Sequence, residues 1–87
     1  MLEKNKKISV IGQGYVGLPL TIAFGKKYKN IIGFDNSSKR INEIKKNFDH
    51  NKEITKFEFK KVKNVDFTDN SNKINNSDYF IITVPTP

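Results

Sequence analysis

Apolar residues along this chain follow two rhythms in alternation. Short β-branched runs, Lys7-Ile8-Ser9-Val10-Ile11 and then Asn30-Ile31-Ile32-Gly33-Phe34, stop abruptly at a glycine and at Asp35. Such runs suit strands buried in a parallel sheet. Between them, from Tyr15 to about Tyr28, Val16, Leu20, Ala23 and Phe24 recur at helical spacing. Pro19 falls in the first turn or so, where a missing N–H is tolerated, and Lys26, Lys27 and Lys29 load the C-terminal end favourably for the helix dipole.

Asn36 and Ser37 are good N-cap residues, and a second helix is expected after them. Its apolar face would be Ile41, Ile44 and Phe48, with Arg40, Asn42, Glu43, Lys45 and Lys46 outward. Residues 54–62 carry both signals. Ile54, Phe57 and Lys61 suggest a helix, whereas Phe57 and Phe59 alternating with Glu58 and Lys60 suggest a strand. Helix is the preferred reading. Val65–Thr68 reads as a short strand, Ser71–Ile74 as a helical or turn segment, and Tyr79–Val84 as a fully buried strand.

This order of strands and helices predicts an α/β fold, a Rossmann-like doubly wound parallel sheet that is incomplete, with only the first β-α-β units present. Right-handed crossovers place the first strand centrally, the second and third to one side and the last on the other.

Length and composition narrow the picture. At 87 residues the chain is one domain at most, and cysteine is absent, which removes disulfides, thiolate metal sites and a cysteine nucleophile from this stretch. The residues before the first glycines lack the apolar run of a signal peptide, and no segment approaches the roughly 20 apolar residues of a membrane span. A soluble, cytoplasmic protein with no membrane partner is expected. The net charge of +7 raises nucleic-acid binding, but the lysines are scattered in pairs among acids and asparagines, as on a solvated surface.

Gly12-Gln13-Gly14-Tyr15-Val16-Gly17 matches G-x-G-x-x-G between an expected strand and an expected helix. In that setting Gly12 permits the tight turn, Gly14 lets backbone approach a pyrophosphate, and Gly17 lets helix and strand pack closely. The N–H groups around Tyr15 and Val16 would face the phosphates. Asp35 lies about 18 positions beyond Gly17, near the roughly 20-residue spacing of an acid that accepts from an adenosine ribose. A carboxylate there favours NAD over the 2′-phosphorylated cofactor, although Lys39 and Arg40 stand close in sequence. The ATPase phosphate loop G-x-x-x-x-G-K-[ST] does not occur, and an S-adenosylmethionine site would place an acid ahead of the glycines, where Ser9-Val10-Ile11 stands.

Two stretches are more specific. Lys7-Ile-Ser-Val-Ile-Gly-Gln-Gly-Tyr-Val-Gly-Leu-Pro-Leu20 and Ile81-Ile-Thr-Val-Pro-Thr-Pro87 closely resemble the N-terminal NAD-binding domain of the UDP-glucose/GDP-mannose dehydrogenase family. The resemblance runs from residue 7 to residue 87. It implies an enzyme that oxidises the C6 alcohol of a nucleotide sugar, with UDP-sugar substrates, to a carboxylate in two hydride transfers to NAD, for polysaccharide biosynthesis. It also implies that Tyr15 and Val16 contact the pyrophosphate through backbone, that Asp35 and Arg40 hold the adenosine ribose, and that Thr86 lies against the cofactor. The family's catalytic residues belong to later sequence, so residues 1–87 are expected to be the front of the cofactor domain and to lack turnover. Unpaired sheet edges then favour a homo-oligomer.

Family members acting on UDP-N-acetylhexosamines often show D-x-T-x-E where this chain has Asp49-His50-Asn51-Lys52-Glu53. His50 is assigned no role. A binding-only domain that senses NAD would share the glycine turn and acid, but has no reason to carry the terminal V-P-T-P.

Overall fold

The computed structural model describes residues 5–83. Four strands, β1 (Lys7–Ile11), β2 (Asn30–Phe34), β3 (Val65–Thr68) and β4 (Tyr79–Ile82), form one sheet in the order β3-β2-β1-β4. Every pairing is parallel, with Val10 of β1 opposite Gly33 of β2 and Ile81 of β4. The strand order and all four strand starts are those the hydrophobic pattern predicts, although β4 ends earlier than expected.

Helices α1 (Gly17–Lys27), α2 (Ser38–Lys45) and α3 (Lys56–Lys60) fill the β1-to-β2 and β2-to-β3 crossovers. Both crossovers step the same way along the sheet, so right-handed connections put all three helices in one layer. Leu18 and Ile22 of α1, Ile44 of α2, Ile54, Phe59 of α3 and Val62 form the common core, with Val65 and Phe67 of β3 packed against it. Beyond β3, a single 3-10 turn at Ser71–Ile74 begins the return across the sheet to β4. The direction of winding therefore reverses between β1 and β4, and a crevice at the carboxyl ends of such strands is where α/β sheets place ligands.

Several expectations need correction. The first helix begins at Gly17, not Tyr15, because the glycine turn takes up residues 12–16. Arg40, expected outward, is buried, and Phe48, expected on the core face of the second helix, is exposed beyond its end. The helix stops at Lys45, where Asn47 turns to φ 60 and carries the chain away before Phe48 can reach the core. Residues 54–62 do contain a helix, but a five-residue one, and it turns Phe59 inward and leaves Phe57 67% exposed. The capping box between Thr55 and Glu58 fixes where it starts, and so which phenylalanine faces the core. The fourth strand is not fully buried: Phe80 and Ile82 are exposed. It pairs with β1 alone, and among the described residues no helix packs extensively against it.

Ile22 is 1% exposed at the centre of the shared core, so Ile22→Ala should lower stability by about 2–5 kcal/mol in chemical denaturation. Phe57→Ala should change it by less than about 1 kcal/mol, since surface substitutions cost little.

A glycine turn between the first strand and the first helix

At the end of β1 the chain turns through Gly12 at φ 98, a conformation that side-chain-bearing residues rarely adopt. Its N–H donates to the carbonyl of Phe34 at 2.7 Å, tying the turn to the end of β2. A Cβ on Gly17 would lie 1.7 Å from the carbonyl oxygen of Gly12 and 2.4 Å from Thr83 Oγ1. Strand, turn and helix therefore touch backbone to backbone. Thr83, directly after β4, closes the arrangement: its N–H donates to Ile11 O at 2.8 Å and its hydroxyl to Gly12 O at 2.8 Å.

Gly14 is different. A Cβ there would meet no described atom within 4 Å, so internal packing does not demand the glycine. Gly14, Tyr15 and Val16 are all exposed, and among the described residues their N–H groups meet no acceptor. The helix that follows has no side-chain cap and no acid in its first turn. By contrast, Ser37 caps α2 and Thr55 caps α3. The positive end of α1 is thus left open beside a row of bare amides, an arrangement suited to an anion such as a diphosphate.

Gln13, a variable position in the motif, is the most constrained residue of the turn. It is fully buried; its N–H donates to Asp35 Oδ2 at 2.8 Å and its side-chain Nε2 to Val10 O at 3.0 Å. Its carbonyl accepts from Arg40 Nε at 2.6 Å. Asp35 follows β2 directly, is half-buried, and takes a second bond from the Ser37 N–H at 2.9 Å. Each carboxylate oxygen keeps acceptor capacity for a ligand hydroxyl.

Arg40 enters this site from α2 with its side chain 8% exposed. Besides holding Gln13, it donates through Nη1 to Glu43 at 2.6 Å and to Asp49 at 2.9 Å. Its Nη2 is buried without a partner among the described residues. The Asp49 carboxylate is sealed from solvent and also accepts from the N–H groups of Asn51, Glu53 and Ile54. Burial pushes the Asp49 carboxyl up, but the bonds from Arg40 and from the amides of Asn51 and Ile54 outweigh it and leave the group below its ordinary value. For Glu43, burial again acts upward; bonds from the His50 amide and ring and from Arg40 overcome it, so this carboxyl too is lowered. The exposed His50 ring is hydrogen-bonded to Glu43 at 2.7 Å.

Seven of the residues singled out in the sequence, Gly12, Gly14, Tyr15, Val16, Gly17, Asp35 and Arg40, lie at one end of the sheet. Thr86 lies outside the described residues. Gln13 and Thr83 were not singled out, because their parts depend on burial and on contacts that no motif spacing carries; Glu43 was not singled out either, although its three-residue spacing from Arg40 on a helix is a readable ion-pair signal.

A parallel sheet whose first strand-to-helix turn bares its amides, with an acid at the end of the second strand, defines a dinucleotide-binding α/β domain. More narrowly, the chain belongs to the UDP-glucose/GDP-mannose dehydrogenase family: the profile described as "UDP-glucose/GDP-mannose dehydrogenase family, NAD binding domain" matches residues 6–87. The chain is 47% identical over 81 residues to UDP-N-acetyl-D-glucosamine 6-dehydrogenase of Salmonella typhi, and 45% identical over 83 residues to Protein CapL of Staphylococcus aureus. These alignments cover 93% and 95% of this chain and 19% of each relative. Among solved structures, UDP-D-ManNAc dehydrogenase from Pyrococcus horikoshii superposes with a TM-score of 0.83 at 34% identity. A ternary complex of GDP-mannose dehydrogenase from Pseudomonas aeruginosa superposes with a TM-score of 0.78 at 26% identity. Each covers 93% of this chain, which spans 20% of either structure.

The two glycines should separate packing from ligand approach. Gly17→Ala should destabilise the fold by about 3 kcal/mol, the upper end of the usual cost of overpacking, whereas Gly14→Ala should leave thermal stability almost unchanged. Because the Asp49 and Glu43 carboxyls are lowered in the folded state, their stabilisation is present above the ordinary carboxylate range and lost as pH falls below about 4. Acid titration followed by circular dichroism should show a shallower loss below that pH in Asp49→Asn, which starts from lower stability at neutral pH.

Proposed function

We propose that this chain is the nucleotide-holding part of an enzyme that oxidises the C6 alcohol of a UDP-sugar, UDP-glucose or a UDP-N-acetylhexosamine, to a carboxylate. The overall reaction consumes the alcohol, one water and two NAD+, and yields the carboxylate, two NADH and three protons. NAD, when bound, supplies the hydride acceptor. The chain has no cysteine, and the catalytic groups on this reading lie in the remaining four-fifths that the longer relatives possess. Residues 1–87 are then the front of the cofactor domain, in a cytoplasmic enzyme of polysaccharide biosynthesis that works as a homo-oligomer.

The observation that carries this reading is the open turn at Gly14–Val16, facing the uncapped end of α1, with no internal need for the glycine. Its amides hold the diphosphate, and Tyr15 and Val16 take part through backbone, which leaves their exposed side chains free. Asp35 accepts from the adenosine ribose hydroxyls while it keeps Gln13 and Ser37 in place. Arg40 stands on the ribose side of the turn and braces it from beneath. With Gln13 O on its Nε, two carboxylates on its Nη1 and its Nη2 buried, that guanidinium turns no exposed donor toward a 2′-phosphate, which favours NAD. Thr86 lies against the cofactor on this reading.

Titration of the 15N-labelled chain with NAD at up to millimolar concentration should move the amide signals of Gly14, Tyr15 and Val16. NADP should bind more weakly, and Asp35→Ala should weaken NAD by about 1–3 kcal/mol through lost charged hydrogen bonds. Equal affinity for the two cofactors, or an unchanged Asp35→Ala, contradicts the assignment of Asp35. The enzymatic part is read in a chimera in which this chain replaces the matching fifth of the Salmonella typhi dehydrogenase. It should reduce NAD with UDP-N-acetyl-D-glucosamine, and Gly14→Val should abolish that activity.

A further inference from the structure

We infer that Asp49 is a positioning residue for the diphosphate turn, acting through Arg40 on the peptide that joins Gln13 to Gly14. The inference rests on the reading that this turn holds a dinucleotide, and deepens it.

A peptide unit is planar and trans, so the carbonyl of Gln13 and the N–H of Gly14 point in opposite directions from one rigid plate. Arg40 Nε holds that carbonyl at 2.6 Å, while Asp35 holds the N–H on the other side of Gln13 at 2.8 Å. Gln13 is therefore fixed at both ends, and the Gly14 N–H is aimed outward without any bond of its own.

What keeps Arg40 in that pose lies beyond the turn. The guanidinium is a planar fork, so fixing Nη1 fixes the direction of Nε–H as well. Asp49 and Glu43 both accept from Nη1. Glu43 shares its helix with Arg40, and can move with it. Asp49 does not: it lies in the segment between α2 and α3, where three backbone N–H groups converge on its carboxylate and Ile54, donor of one of them, sits in the core. Asp49 is the fixed end of a chain that runs from the core through Arg40 to the Gly14 amide.

The placement also changes the meaning of the Asp49–Glu53 segment, whose pattern resembles one associated with sugar choice. The Asp49 side chain is 0% exposed, with its oxygens occupied by Arg40 and by amides, so it has no surface to offer a sugar. Its contacts lead to the cofactor end of the site.

The test uses the 15N-labelled 87-residue chain, its Asp49→Asn and Arg40→Lys variants, and Asp66→Asn as a control in an exposed ion pair with Lys73 on another part of the sheet. Lysine keeps the positive charge beside Glu43 and Asp49, but a single ammonium cannot span Asp49 and the Gln13 carbonyl as the fork does. In both variants the strand amides of residues 7–11 and 30–34 should keep their positions, while the NAD-free Gly14 signal shifts. The dissociation constant for NAD should rise by about tenfold or more, the size of one lost charge-assisted hydrogen bond. Asp66→Asn should match the parent chain. In the parent chain, the protected Arg40 Nε–H signal should move with the Gly14 amide as NAD is added, a readout that holds even if a variant fails to fold. An unmoved Gly14 signal and unchanged NAD affinity in a folded variant overturn the inference, as does an Arg40 Nε–H signal that stays still while Gly14 responds. If NAD moves no amide of residues 14–16 in the parent chain, the cofactor reading itself fails, whereas the NAD-free Gly14 signal still judges the brace.

Discussion

The architecture depends on how closely the end of β1 approaches the start of α1. With no Cβ on Gly17, the helix comes into backbone contact with Gly12, and Thr83 binds the same carbonyl from the neighbouring strand. That contact, with the Gln13 side chain filling the space beneath the turn, leaves the next three residues no room inside the fold. Gly14, Tyr15 and Val16 are displaced to the surface as a short run of exposed backbone, and the helix begins without a cap. The bared amides follow from close packing on either side of them.

Exposed backbone alone would be loose, and a loose turn loses affinity through the cost of ordering it. The turn is held by charge. Asp35 and Arg40, opposite in sign, grip the two ends of Gln13 from β2's end and from α2. A buried arginine with two carboxylates is expensive to desolvate, and an apolar cluster of the same volume would serve stability as well or better. The network is better understood as a means of fixing direction, since a planar guanidinium and a planar peptide transmit orientation in a way that apolar contacts do not.

The outer strand of the sheet leaves apolar side chains at the surface. Phe80 and Ile82 on β4 are exposed, and the helices described all lie over the opposite flank of the strand order, from β1 to β3. In relatives about five times as long, sequence beyond this region is available to cover such a strand. No described helix is long and apolar enough to cross a membrane, and the described residues contain no cluster of candidate metal ligands.

Sequence alone determined the strand starts, the parallel order, the glycine turn and the acid beyond β2, because each is written in local chemistry: β-branched runs, glycines at fixed offsets, a carboxylate where a strand ends. It also carried the family, in residues 7–20 and 81–87. Tertiary structure decided the rest. Helical periodicity placed Arg40 outward and Phe48 inward, since a wheel counts only apolar residues and cannot know that two carboxylates and a backbone carbonyl await a guanidinium inside. Gln13 and Thr83 carried no signal for the same reason: each acts through partners distant in sequence, and only the folded chain brings those partners within 3 Å.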